Sequence, residues 1–148
     1  MEELIGNKKE NKIKTNIQIE VYLFKKSTRG VKFLLLKRKK ERGGFWQPIT
    51  GGVIEGESIE KAIKREVQEE TEIQDIQRII DTGYSFSFIG EDGRDLTEFI
   101  YGAEVGENVR EKISPEHEEA CWVSKEKALT LLRWRENKEG LLKLYSMM

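Results

Sequence analysis

Apolar and polar residues alternate from Asn16, in "NIQIEVYLFKK", before the pattern closes into an apolar run. Alternation of this kind marks a strand with one buried face. "STRG" supplies a turn, and "VKFLLLKRK" predicts a second strand, whose consecutive Leu34, Leu35 and Leu36 suit a central place in a sheet. "ERGGFWQPITGGVIEGE" is rich in glycine and turn formers, which predicts a loop with a short strand around Trp46 to Val53. Ser58 then stands where an N-cap belongs, and Ile59, Ala62, Ile63 and Val67 recur at helical spacing, giving a helix over about residues 58–71 with one apolar stripe. "DIQRIIDTGYSFSFIG", "RDLTEFIYGAEV" and "EEACWVS" read as strands, and from Lys125 to the end the pattern is helical, with Leu129, Leu132, Leu141, Leu142 and Leu144 as its apolar members. Strands, a helix, more strands and a terminal helix describe a mixed α/β domain.

At 148 residues the chain fits one domain, with residues 1–15 read as a flexible leader and 16–148 as the folded unit. The 26 basic and 27 acidic residues leave a formal net charge of -1, which gives no field to steer nucleic acid or an anionic membrane, so a charged ligand has to be met locally. Cys121 is the only cysteine, excluding a disulfide framework and a cysteine-rich zinc site. The N-terminus is too poor in apolar residues for a signal peptide and no segment has the length to span a bilayer. The expectation is a cytoplasmic protein with a small-molecule partner, in a form that allows a homodimer.

Against this background the segment 51–73, "GGVIEGESIEKAIKREVQEETEI", is anomalous. Glu66, Glu69 and Glu70 share one helical face, where like charges repel. A solvated charged face is the ordinary explanation. Here, however, the cluster follows a glycine-rich loop, borders the apolar stripe, and has only Arg65 as an adjacent cation. Carboxylates crowded in this way become favourable around a hard divalent cation, Mg²⁺ or alternatively Mn²⁺, which keeps positions open for water and substrate phosphate.

These residues resemble the Nudix box, in which glycine is followed after five residues by glutamate and, seven further on, by Arg-Glu-U-x-Glu-Glu-x-Gly-U, U being aliphatic. Gly51, Glu57, Arg65, Glu66, Val67, Glu69, Glu70 and Ile73 fill its places, and Glu72 stands where the last glycine is expected. The resemblance implies an α/β/α sandwich with a mixed sheet. It also implies metal binding by Glu66 and Glu70, with Glu69 a further ligand or water-mediated contact, while Glu57 and Arg65 brace the loop against the helix.

"FWQPITGGVIEGES" and "EHEEACWV" resemble a narrower subgroup, the bacterial dihydroneopterin triphosphate pyrophosphatases. Carried over by position, Glu116 becomes an additional acid reaching the metal site, Arg38 and Thr50 contact phosphate or substrate, and Arg133 beside Trp134 is a further contact. Trp46 either stacks on a ring or closes the edge of the core. His117 is an acid–base alternative to Glu116. The Tyr84, Phe86 and Phe88 stripe reads as sheet packing and Cys121 as a small buried hydrophobe. The implied activity is Mg²⁺-dependent cleavage of a nucleoside triphosphate or dihydroneopterin triphosphate to monophosphate and pyrophosphate. Dinucleoside polyphosphates, oxidised nucleotides and ADP-ribose are alternatives, and a non-catalytic nucleotide-binding module is the reading from outside the enzymes.

Overall fold

A computed structural model describes residues 13–148. The expected leader falls mostly outside those residues, but its last two positions, Lys14 and Thr15, already belong to the first strand.

Among the described residues, seven strands form one mixed sheet: β1 (Lys14–Ser27), β2 (Gly30–Arg38), β3 (Trp46–Gln47), β4 (Ile49–Ile54), β5 (Ile76–Ile89), β6 (Asp95–Val105) and β7 (His117–Val123). The central path runs β3-β2-β1-β6-β5. β4 pairs with β1, and β7 with β2. Only the β1–β6 pair is parallel, with Ile17 to Phe24 matched to Thr97 to Glu104. The other pairs are antiparallel. β1 is buried on both faces from Ile19 to Phe24, which is why its alternation gives way to an apolar run.

Helix α1 (Ile59–Thr71) covers one face of the sheet, burying Ala62, Ile63 and Val67 against Ile19, Val21, Leu34, Leu36 and Val53. Ser58 caps it by accepting the Lys61 N–H at 3.2 Å. Helices α2 (Lys125–Leu131) and α3 (Arg135–Ser146) cover the opposite face, over Tyr22, Phe24, Phe33, Leu35 and Ile100. The result is the expected α/β/α sandwich in a single domain.

The C-terminal helical pattern, read as continuous, is broken at Leu132, whose backbone is extended at φ -68°, ψ 137° and forms a bridge to Trp46. The cause lies in the spacing of the apolar residues. Leu132 and Leu141 are nine positions apart, so on one uninterrupted helix they would lie roughly 180° apart. Both are buried, at 2% and 0% exposure, and only a break between them lets both face the sheet.

Candidate functional site

The loop between β4 and α1 is fastened by a single guanidinium. Arg65 donates through Nε to Glu57 Oε2 at 2.7 Å and through Nη2 to Glu57 Oε1 at 3.0 Å and the Gly52 carbonyl at 2.8 Å. Its Nη1 reaches Glu66 Oε1 at 2.6 Å and Glu69 Oε1 at 3.1 Å. Glu57 Oε1 also accepts the Ile54 N–H at 3.1 Å, so the planar fork locks strand end, loop and helix together. Gly51 is needed for a different reason. A Cβ there would stand 2.1 Å from Glu66 Cδ, so only a residue without a side chain lets the Glu66 carboxyl lie against the β4 backbone. Burial pushes the Glu66 pKa up to about 7, against the pull of Arg65 and with a further push from Glu69 and Glu70.

One turn on, Glu70 faces a different segment. The last carbonyls of α1 are satisfied by the loop before β7: Ser114 N–H donates to the Glu70 carbonyl at 3.0 Å and Lys112 N–H to that of Thr71 at 2.9 Å. These bonds bring Glu116 and His117 to the helix. His117 Nδ1 lies 2.9 Å from Glu70 Oε2, at an angle that leaves the nitrogen without a hydrogen-bond partner, and Ser114 Oγ donates to the same oxygen at 3.1 Å. Burial raises the Glu70 pKa, but contacts with His117, Ser114 and Glu116 outweigh it and hold the carboxylate below its ordinary range. The helix stops at Glu72, whose backbone takes the left-handed conformation at φ 61°.

Two cavities meet beside these groups. A small one of about 170 Å³ is lined by Glu70, Glu116 and His117 together with Arg38, Arg42, Gln47 and Thr50. The last four residues also line a cleft of about 860 Å³ on the α3 side of the sheet, so the two spaces adjoin. Aromatic rings wall the cleft: Phe45 and Trp134, packed edge to face with centroids 4.6 Å apart, and Phe86 and Phe88. The Arg38 guanidinium lies 5.4 Å from the Phe45 centroid, and that of Arg133 lies 5.5 Å from the Trp134 ring.

Arg38, Thr50 and Glu116 are therefore brought together with Glu70, while Gly51, Arg65, Glu66 and Glu69 form the adjoining loop–helix lock. Trp46 packs with the core cluster beneath α2 and α3 and does not line the cleft, whose aromatic walls are Phe45, Phe86, Phe88 and Trp134 instead. Arg133 stacks on Trp134 outside the lining of the cleft. Phe86 and Phe88 do more than pack the sheet, since both face the cleft. His117, the lesser alternative in the sequence, is the side chain that meets Glu70, a contact created by a loop 44 residues beyond it in the case of Ser114. Cys121 is half-buried, and burial raises its thiol pKa.

A NUDIX domain profile matches residues 15–145. The chain belongs to the Nudix family. A stretch of 109 residues is 33% identical to a Myxococcus xanthus protein named octanoyltransferase, covering 72% of this chain but 30% of that protein. The fold is similar to a protein assigned as a NUDIX hydrolase from Listeria monocytogenes, with a TM-score of 0.78 and 27% identity, over 88% of this chain and 92% of the other. It is similar as well to the E. coli dihydroneopterin triphosphate pyrophosphohydrolase, with a TM-score of 0.75 and 24% identity over 93% and 100% of the two chains. A third likeness is to a C. elegans Ap4A hydrolase, with a TM-score of 0.76 and 21% identity over 88% and 96%.

Nudix hydrolases use divalent metal ions. Among the described residues no three His, Cys, Asp or Glu side chains are already close enough to hold one. Glu66 leans on Arg65, Glu69 on the same arginine, and Glu70 on His117 and Ser114. The donor chemistry nevertheless fits a hard cation. The acidic side chains are oxygen donors on one helix face, and Glu66 is a half-buried carboxyl whose ionisation one arginine leaves uncompensated. Among the described residues, no helix is long and apolar enough to cross a membrane.

Proposed function

We propose that this Nudix domain is a Mg²⁺-dependent pyrophosphohydrolase that cleaves a nucleoside triphosphate or dihydroneopterin triphosphate to the monophosphate and pyrophosphate, with Mn²⁺ as a substitute metal. The observation that carries this reading is the junction of the two cavities. An aromatic-walled cleft, sized for a heterocycle and sugar, opens through Arg38, Arg42, Gln47 and Thr50 onto the pocket of Glu70, Glu116 and His117. A phosphate chain extending from a ring in the cleft would pass two arginines before reaching the carboxylates.

Glu66, Glu69, Glu70 and Glu116 would hold the metal. A divalent ion held there would supply positive charge against the phosphate oxygens and Lewis acidity toward water. Arg38 and Arg42 offer guanidinium forks to phosphate oxygens, and Thr50 offers a hydroxyl beside them. Arg65 keeps Glu66 and Glu69 in place while Gly51 leaves room for the Glu66 carboxyl. A glutamate, from the box or Glu116, takes the proton of the attacking water, with His117 fixing the orientation of Glu70.

The test is analysis of the products formed with Mg²⁺ from a panel of nucleoside triphosphates, dihydroneopterin triphosphate, dinucleoside polyphosphates and ADP-ribose, where the triphosphates would yield pyrophosphate and a monophosphate and the other two classes would yield two organic phosphates without pyrophosphate. Triphosphates should be cleaved, and Glu70→Gln should lower kcat on the order of 10³-fold with the fold retained. Full activity in that variant overturns the mechanism, and preference for dinucleotides or ADP-ribose overturns the substrate class.

A further inference from the structure

The loop between β6 and β7, residues 106–116, carries no helix or strand, so its course is set by what it touches. It lies on the α1 face of the sheet, where Val109 and Ile113 pack against the apolar cluster beneath that helix. Its far half is tied to α1 by the Lys112 and Ser114 N–H groups and by Ser114 Oγ on the Glu70 carboxylate. The near half is tied to the sheet. Lys25 on β1 donates through Nζ to the Val109 carbonyl, and Trp122 on β7 donates through its indole N–H to Glu111 Oε1 at 2.8 Å. The two side chains also meet, with the Lys25 ammonium 4.1 Å from the centroid of the Trp122 ring. They do so across β2, on which Lys32 stands opposite Lys25 and Leu34 opposite Trp122.

A lysine near a strand end ordinarily extends its charge into water, and the neighbouring Lys26 is exposed. Lys25 is half-buried instead, and burial, foremost, lowers its pKa, although Glu111 and Glu107 pull it back up. Its ammonium gives up hydration to hold one main-chain oxygen, where an aliphatic side chain would cover the Trp122 ring without that cost. What the arrangement fixes is position. The run from Glu111 to Ser114 spans at most about 10 Å, so a shift of Glu111 passes on to Ser114 and from there to Glu116 and His117.

We infer that Lys25 and Trp122 are positioning residues for the site on α1: together they clamp the loop between β6 and β7 so that Ser114, Glu116 and His117 meet Glu70. Neither side chain lines either cavity, so neither touches substrate, and both act through the loop. The large cleft lies on the opposite, α3 side of the sheet and does not depend on the clamp. Glu116 and the Glu70 carboxylate do depend on it, and their placement governs the chemical step. The clamp therefore sets kcat and leaves KM largely alone. This role rests on the proposed hydrolase reading and adds positioning residues to it.

The experiment measures kcat and KM at saturating Mg²⁺, for a triphosphate that wild type cleaves, in wild type, Lys25→Met, Trp122→Phe and Lys25→Arg, at a temperature where circular dichroism shows each protein folded. Amide hydrogen exchange of segment 112–117 is followed by mass spectrometry in the same proteins. Lys25→Met and Trp122→Phe should lower kcat by about 10- to 100-fold with KM little changed, the scale of an ångström's misplacement. Both should speed exchange in 112–117 and leave residues 59–69 of α1 as in wild type. Lys25→Arg, which keeps a cation able to stack on the indole and donate to the carbonyl, should retain most of the wild-type kcat. If one of the two disruptive variants does not fold, the other carries the test. Wild-type kcat in the disruptive variants overturns the inference while leaving the hydrolase reading intact, as does a loss equal in Lys25→Met and Lys25→Arg, which would assign it to packing. If wild type cleaves no triphosphate, the hydrolase reading fails instead and exchange decides the clamp: rates in 112–117 unmoved by the substitutions overturn it, and faster rates uphold it.

Discussion

Glu72 holds its backbone at φ 61°, ψ 11°, and is the only non-glycine residue with positive φ among those described. The family pattern has glycine here, and the geometry explains why: the helix ends in a left-handed turn that a Cβ disfavours. Glu72→Gly should therefore stabilise the protein by about 0.5–1 kcal/mol after allowing for the extra freedom of glycine in the unfolded chain. Equilibrium urea denaturation would measure this, and a loss of stability would mean that the Glu72 side chain contributes more than its backbone costs. The departure from the box is thus local. The neighbouring requirement at Gly51 is of another kind, a need for space beside Glu66, and that position keeps its glycine.

Helix α3 is seated on the sheet by close approach. A Cβ at Gly140 would stand 2.1 Å from Ile100 Cδ1, and one at Gly102 would stand 2.5 Å from Leu144 Cδ1. Glycine inside a helix ordinarily costs about 1 kcal/mol relative to alanine, so its presence at position 140 reflects packing. Gly140→Ala should destabilise the fold by about 1–3 kcal/mol through overpacking, despite the gain in helix propensity. Ile100→Val, which removes the clashing methyl, should restore part of that loss in the double mutant. Thermal melting of the four proteins in this cycle decides it, and simple additivity would show that the contact is relieved elsewhere.

For the molecule as a whole, the carboxyls of the acidic helix couple protons to stability, and under the proposed function they would couple a metal ion as well. Glu66 has its pKa raised from 4.5 to about 7, so its protonated form is favoured in the fold. Its contribution is present in full below pH 4.5 and is lost as pH rises through about 7. Glu70, held low, contributes in the opposite sense: its stabilisation is present above the ordinary carboxylate pKa and is lost as pH falls through its own. Between pH 5 and 8 the Glu66 contribution therefore makes metal-free wild type lose stability with rising pH relative to Glu66→Gln, which lacks the ionisation. Mg²⁺ should reverse this, raising Tm more at pH 8 than at pH 5.5, and its binding near pH 6 should release protons. Scanning calorimetry with and without Mg²⁺ would measure the difference, and a Mg²⁺ effect independent of pH would remove Glu66 from the metal site.

The sequence by itself determined the box and most of the elements. Their signals are local: alternation in β1, the N-cap at Ser58 with its apolar stripe, and the spacing that puts Glu66, Glu69 and Glu70 on one face. Tertiary structure decided the rest, because those relations join residues far apart in the chain. Leu132 and Leu141 had to face the same sheet, and so the terminal helix broke. The contact of His117 with Glu70 depends on which loop satisfies the end carbonyls of α1. The meeting of Lys25 and Trp122 exists only because β2 alone separates β1 from β7, in a register that no local pattern specifies. Short-range periodicity encodes which face of an element is apolar, whereas burial and strand pairing decide which polar groups are left facing one another.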